Sequence, residues 1–368
     1  MSNSECKISI EILRCFINDV LLALGVPSND AEVCTDVIIT SDKRGIESHG
    51  IGRLKYYYDR IKSGQQQVIT QFEIISETST TAVVDGHDGM GMVIGKRAMQ
   101  LAIDKAREFG MGSVAVRNST HFGIAGYYPL MAVQEGMIGL TVTNARPSVS
   151  PTFGVQPMLG TNPIAFGAPT DEDCPFLYDA ATPIIQRGKI EVLARAEKPM
   201  AEGWVIDQQN RTITDPDEVI SKLSKGIAAF LPLGGEGEQL GGHKGYGLGT
   251  IVEILSASLQ DGSFLHQLNG IDENGKPCPF RVGHFFLAID IEHFLPLNRF
   301  KTTTGQILRE LRNSHKAPGC SRIYTAGEKE YEMEKNTKRT GVTLVPNLQK
   351  EIKFLQQELG LNQYSFPF

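Results

Sequence analysis

The sequence predicts an α/β protein whose central part alternates strands with helices between helical N- and C-terminal parts. Two features carry this. The runs FEIISET, TTAVVDG, MGSVAVRN, MIGLTVTNA, NPIAFGAP and PFLYDAAT are strand-like, with helical stretches between some of them. The first 64 residues and the tail instead space their apolar side chains by three and four, as one buried helical face does. Strands alternating with helices imply parallel or mixed pairing.

Ile10, Leu13, Phe16, Ile17, Val20, Leu21 and Leu24 mark the first helix, and the stretch from Gly25 to Asp30 breaks it and caps the next. AEVCTDVIITSDKR makes a second helix ending at Gly45, and a third runs from about Ile51 to Ser63. In the centre, GKRAMQLAIDKAREFG and AGYYPLMAVQEG are helical, with Pro129 tolerable only near a first turn. A Gly-rich loop then precedes the helix GTIVEILSASL and the strand HFFLAIDI. The tail, from TTTGQILRELRNS through VPNLQKEIKFLQQELG, is helical again. The pattern suggests a discontinuous helical domain from residues 1–75 and 295–368 around an α/β domain of residues 76–294.

At 368 residues the chain has room for two or three domains. A net charge of −6 without a basic stripe argues against nucleic acid as a partner. No apolar run approaches the roughly 20 residues that span a membrane. The opening MSNSECKISIEILRCF lacks a basic segment leading into an apolar one, so a cytoplasmic protein is expected. The six cysteines are scattered without a CxxC pair, which excludes a zinc site and structural disulfides from the reading; no metal is expected.

Four stretches could carry chemistry. In ESHGIGRLKYYYDRIKSG, Ser48 and His49 stand at the mouth of the third helix, with Arg53 four residues beyond His49 on the same face. A helix N-terminus attracts anions, and a guanidinium grips a carboxylate at two points, so this is a candidate carboxylate anchor. Ser48 as a plain cap and Arg53 as a solvated charge is the alternative. In RNSTHFGIAGYY, His121 lies on a strand-to-helix connection, where sites gather in open α/β sheets. The dipole of the following helix would keep its ring neutral and able to accept a proton, unless local hydrogen bonds merely satisfy it. Gly160, Thr161 and Asn162 enter one strand, and Asp179, Ala180 and Ala181 end the next; both are candidates to meet a ribose or a nicotinamide amide, or ordinary turns. GGHKGYGLG surrounds Lys244 with Gly245 and its neighbours before a helix, a phosphate cradle or a surface loop. It is no nucleoside-triphosphate loop, because Lys244 is not followed by Ser or Thr. Gly89, Gly91 and Gly95 nearly spell a dinucleotide fingerprint, but their spacing is wrong and no acid-ended strand follows at the required distance.

Together RGIESHGIGRLKYY, NSTHFGIAGYY, GTNPIAFGAP, DAAT, GHKGYGLG and APGCSRIYTAGE resemble the type-2 malate/L-lactate dehydrogenase family, from about Ile8 to the end of the helical tail. That family comprises NAD(P)-dependent oxidoreductases and includes ureidoglycolate, sulfolactate and imino-acid-reducing enzymes. The resemblance implies a non-Rossmann dinucleotide-binding α/β domain, substrate binding and dimerisation by the discontinuous helical domain, a homodimer, and NAD as cofactor with NADP open. It makes His121 the proton acceptor and donor, and places Ser48, His49 and Arg53 in the substrate and nicotinamide pocket. It gives cofactor contacts to Asp179, Ala180, Ala181, Lys244, Ala326, Gly327 and Glu328. Relatives commonly have Pro at the place of Ala326, and small residues around Pro183 and Arg187. The implied reaction is hydride transfer between nicotinamide and C2 of a 2-hydroxy acid, malate or lactate. Ureidoglycolate, sulfolactate and a nucleotide-binding protein without turnover are the alternatives. Malate would need a second cation, and Arg44, Arg117 and Arg146 lie near the motifs.

Overall fold

The computed structural model describes residues 5–195 and 197–368, so residues 1–4 of the stretch read for a leader lie outside it. β1 (Cys6–Ile8) leads into α1 (Ile10–Ala23) and α2 (Ser28–Lys43), and two 3-10 turns over Glu47–His49 and Ile51–Arg53 precede α3 (Leu54–Lys62). The centre runs β2 (Glu73–Glu77), β3 (Thr81–Asp85), α4 (Gly91–Phe109), β4 (Met111–Ser119), α5 (Tyr127–Gln134), β5 (Met137–Thr143), β6 (Ile164–Ala168) and β7 (Phe176–Ala180). A smaller layer follows: α6 (Arg187–Arg195), β8 (Val205–Asp207), α7 (Pro216–Ser224) and β9 (Ala228–Phe230). The chain closes with α8 (Gly242–Ala257), β10 (Val282–Asp290), α9 (Leu297–Asn313), α10 (Glu328–Thr340), β11 (Val342–Leu344) and α11 (Pro346–Glu358).

Local chemistry sets many of these boundaries. The Ser9 side chain accepts from the Ile12 N–H and starts α1. Asp215 does the same for Glu218 in α7, with Pro216 pre-set in the first turn. Gly110, at φ 86°, ends α4 in the left-handed conformation that a β-carbon disfavours.

Seven strands form one mixed sheet in the order β2-β3-β4-β10-β5-β6-β7. Of its six pairings, β3 with β4 is parallel and the other five are antiparallel. β10 therefore inserts late in the chain between β4 and β5, with Phe286 opposite Val114 on one side and Thr141 on the other. α4 covers the sheet beside the N-terminal helices, and one apolar cluster joins them through Phe16, Ile38, Tyr57, Met99, Tyr128 and Phe286. A second cluster, with Ile190, Val205, Val219 and Phe230, fills the smaller layer. β1 pairs antiparallel with β11, so the two ends of the chain meet.

Several expectations need correction. The third helix starts at Leu54 rather than about Ile51, because two 3-10 turns occupy the stretch before it. His49 and Arg53 thus sit on successive turns and not on one helical face. The Gly-rich segment is no loop: Gly242, Gly245, Gly247 and Gly249 lie inside α8. Short strands β1, β8, β9 and β11 carry too few residues for an alternation to register. Gly91 and Gly95 of the rejected fingerprint have a packing role. A β-carbon on Gly91 would run into the Thr120 carbonyl, and one on Gly95 would meet the Tyr128 ring at 2.8 Å.

His284, wholly buried in β10, binds Thr143 through Nδ1 (2.8 Å) and Ser119 through Nε2 (2.8 Å). Burial pushes its pKa down to about 3 from an ordinary 6.5. Its folded pKa lies below its unfolded one, so its contribution is full above about pH 6.5 and is lost as pH falls towards 3. His284→Gln should melt lower than the parent at pH 8, yet lose less melting temperature between about pH 6.5 and 5. Parallel melting curves across that range would rule this out.

Candidate active site

His121 lies two residues past the end of β4, and its neighbours are pinned one after another. Ser119 is tied to His284. The Thr120 hydroxyl donates to the Gly89 carbonyl (2.7 Å) and accepts from the Gly91 N–H (2.9 Å). The Phe122 ring stacks on His284 with centroids 4.4 Å apart and planes 5° from parallel. Between these anchors, His121 Nδ1 meets the Tyr57 hydroxyl at 2.8 Å and accepts a longer bond, 3.3 Å, from the Gly123 N–H.

The Ser48–Arg53 turns are held from beneath. The Asp42 carboxylate in α2 accepts from the Ile51 N–H (2.8 Å) and packs so closely under Gly50 that a β-carbon there would collide with it. Ser48 Oγ meets His49 Nδ1 at 2.8 Å, and Arg53 Nε donates to the Ser48 carbonyl at 2.7 Å. The His49 ring then stacks on His121, centroids 5.4 Å apart. Tyr56 completes the group, its ring 6.0 Å from that of His121 and 5.9 Å from the Arg53 guanidinium carbon.

Burial, and after it the Arg53 charge, pushes His49 down to about 4. Burial holds His121 well below 6.5, helped by the charges of Arg53 and Arg60. Both rings are therefore neutral at pH 7. The cause differs from the expected helix dipole, since α5 begins six residues after His121, at Tyr127. Asp42 is pushed up to about 7 by burial, with Glu47 adding to the effect.

A cavity of about 740 Å³ opens beside this group. Ser48, His49, Thr161, Asp179, Ala180, Ala181, Ala326 and Gly327 line it, so eight of the site candidates read from the sequence share one cavity. Asp179 Oδ2 accepts from the Gly126 N–H (2.7 Å), and although the side chain faces the cavity, its desolvation pushes it up to about 6. His121 and Arg53 are not on the cavity wall; His121 stacks on His49 and Arg53 is bonded to Ser48, both of which are. Other candidates stand elsewhere. Asn162 is wholly buried, donating to the Gly249 carbonyl and to Glu253, and Gly160 is buried against the Ala145 carbonyl. Glu328 is buried at the start of α10, paired with Arg312 and Arg322. Lys244 is exposed in the first turn of α8, off the cavity wall. Gly245 beside it lets α8 pack closely on Leu233, which is on that wall.

Sequence reasoning missed Asp42, Tyr57, Arg60 and His284. Tyr57 and Arg60 left a signal, four and seven residues after Arg53 at helical spacing. The others are joined to the site only by the fold. Among the described residues no group of three or more His, Cys, Asp or Glu could hold a metal ion, and all six cysteines are free. No helix among them is long and apolar enough to cross a membrane.

A cavity of this volume suits a small organic molecule or part of a cofactor, and neutral histidines beside an unpaired guanidinium suit proton transfer on an anionic substrate. Comparison with known proteins agrees with that class. The profile of the malate/L-lactate dehydrogenase family matches residues 8–353. A malate dehydrogenase of Pyrococcus horikoshii is 44% identical over 346 residues, 94% of this chain and 93% of the relative. An L-sulfolactate dehydrogenase of Methanocaldococcus jannaschii is 38% identical over 94% of this chain and 95% of its own. The crystal structure of malate dehydrogenase from Entamoeba histolytica superposes with a TM-score of 0.95, at 45% identity over 99% of this chain and all of the other. The fold and the site thus define a dehydrogenase of small hydroxy acids. The chain belongs to the malate/L-lactate dehydrogenase family.

The close seat of Gly50 on Asp42 gives a sharp test of the turn architecture. Gly50→Ala should destabilise the chain by about 1–3 kcal/mol, because a buried carboxylate and two turns must shift. Gly52→Ala should be near neutral, its β-carbon meeting only the Glu47 carbonyl at 3.5 Å. Equal midpoints for the two variants in urea would count against the arrangement.

Proposed function

We propose that this dehydrogenase transfers a hydride between a nicotinamide cofactor and C2 of a small 2-hydroxy/2-oxo acid. Malate/oxaloacetate is the first choice and lactate/pyruvate the second; ureidoglycolate or sulfolactate on the same scaffold is the alternative. One observation carries the reading: Arg53, with Nε on Ser48 and both terminal nitrogens without a protein partner among the described residues, stands beside two stacked neutral histidines.

NAD is the proposed cofactor, with NADP the alternative. Ser48, His49, Thr161, Asp179, Ala180, Ala181, Ala326 and Gly327 would hold it, since small side chains and backbone leave that wall of the cavity open. Lys244 is proposed to meet its phosphates from the first turn of α8. When bound, the nicotinamide supplies the hydride chemistry. Arg53 holds the C1 carboxylate at two points. During oxidation the neutral His121 ring takes the hydroxyl proton, with the Tyr57 hydroxyl holding its Nδ1; during reduction the imidazolium returns it. Ser48 holds the His49 ring through Nδ1, which keeps that ring flat against His121.

The division into a helical part from residues 1–75 and 295–368 and a dinucleotide-binding part of residues 76–294, without the Rossmann arrangement, belongs to this reading; the β1–β11 pairing supports it. So does a cytoplasmic homodimer. α8 has Val252 wholly buried, yet Ile251 and Ile254 are each 53% exposed and Leu240 just before it is 84% exposed. A helix apolar on both faces needs a partner on its outer one.

A spectrophotometric NADH assay with a panel of 2-oxo acids tests the reaction. His121→Ala should lower kcat by about 10²–10⁴ with little change in NADH affinity. Arg53→Lys should raise KM strongly and lower kcat as well, because the planar grip is lost. In the parent chain the pKa seen in kcat for oxidation should exceed that in kcat/KM, since a carboxylate on Arg53 offsets the charge that depresses His121. Near-parental turnover in His121→Ala would transfer the proton role to His49.

Assembly has its own test. Light scattering at micromolar concentration should give a dimer for the parent and a monomer for the double variant Ile251→Glu/Ile254→Glu. A monomeric, fully active parent would end the dimer proposal.

A further inference from the structure

We propose that Arg60 reads a second anionic group on the substrate, and so selects 2-oxo acids with a distal carboxylate or sulfonate over monoanions such as pyruvate. This rests on the dehydrogenase reading above and deepens it.

Arg60 is on α3, seven residues after Arg53, and only 7% of it is exposed. Its guanidinium carbon lies over the Phe280 ring, 3.8 Å from the centroid, and 5.4 Å from that of Tyr56. Nη2 is buried without a hydrogen-bond partner. Tyr56 is thus flanked by two guanidiniums, with Arg53 at 5.9 Å and the His121 ring at 6.0 Å. The charge of Arg146 also reaches the Tyr56 hydroxyl. None of Arg53, Arg60 and Arg146 has a carboxylate partner among the described residues, whose ion pairs all lie elsewhere.

That arrangement is costly for a chain without a ligand. Guanidinium does not give up its proton in proteins, and burying a charge without a counter-ion is strongly unfavourable. Like charges around one tyrosine add repulsion. A single carboxylate on Arg53 leaves Arg60 uncompensated. A substrate with a second anionic end compensates both, and the buried free Nη2 gives that end a donor. The other cations near the motifs are already engaged: Arg44 with Glu334 at 3.3 Å and Arg117 with Asp85 at 2.8 Å. The Phe280 ring against it holds the Arg60 guanidinium in place, as a specificity contact requires.

The test uses the full chain with NADH and three acceptors: oxaloacetate, 3-sulfopyruvate and pyruvate. Arg60→Gln should raise KM for the two dianions roughly tenfold to a hundredfold, the loss expected for a hydrogen bond to a charged group, and leave KM for pyruvate within about twofold. The ratio of the two dianions tells carboxylate from sulfonate, and a rise for either supports the role. If Arg60→Gln loses its circular-dichroism melt, Arg60→Lys decides: it keeps the charge over Phe280 and should lose part of the dianion preference. An equal loss on all three acceptors, or none on any, overturns the role of Arg60 while the dehydrogenase reading stands. A parent chain that reduces none of the three, or other 2-oxo acids, defeats both.

Discussion

The His284 side chain is the fixed point of this molecule. Its ring bridges Ser119 at the end of β4 and Thr143 at the end of β5, with β10 between them, and its face carries Phe122. A buried imidazole with both nitrogens bonded and one face stacked has no freedom left, and a neutral ring suits that environment. Residues Ser119 to Phe122 inherit the constraint, and His121 is suspended between them. The Tyr57 hydroxyl then joins that loop to the N-terminal helices. A strand that arrives late in the chain therefore positions a side chain more than 150 residues before it.

From this anchoring follows the electrostatics. The site strings His49, His121, Tyr56, Arg53 and Arg60 together by ring contacts, His121 on His49 and Tyr56 between His121 and the two guanidiniums, and answers neither guanidinium with a carboxylate. The other buried cations among the described residues are paired, Arg44 with Glu334 and Lys105 with Glu77. Leaving the guanidinium of Arg60 open departs from how the fold treats those other buried cations. The departure makes the site a poor stabiliser and a strong anion receptor. Together with burial, the Arg53 charge keeps both histidines neutral and so free to accept a proton.

Much was legible in the sequence, and particular residues show why. The strands from β2 to β7, and β10, advertise themselves through apolar runs bounded by turn residues, and α1, α4, α9 and α11 through helical spacing. His121, Arg53 and the Asp179–Ala181 strand end are recognisable because their neighbours form short motifs. Asn162 and Lys244 show the limit. Each lies in such a motif, yet one is spent inside the fold on Gly249 and Glu253, and the other stands off the cavity wall. A motif fixes residue type and order, not the direction in which a side chain ends up facing.

By itself, then, the sequence determined the local elements, the α/β class and the family, because propensity, apolar period and motif order are properties of neighbours along the chain. The tertiary structure decided which residues meet. Asp42 under Gly50, Tyr57 on His121 and Phe280 under Arg60 are contacts across the chain that no window of sequence contains. Whether a cation is paired, and whether a histidine is neutral, depends on burial and on those distant partners; only packing could settle either.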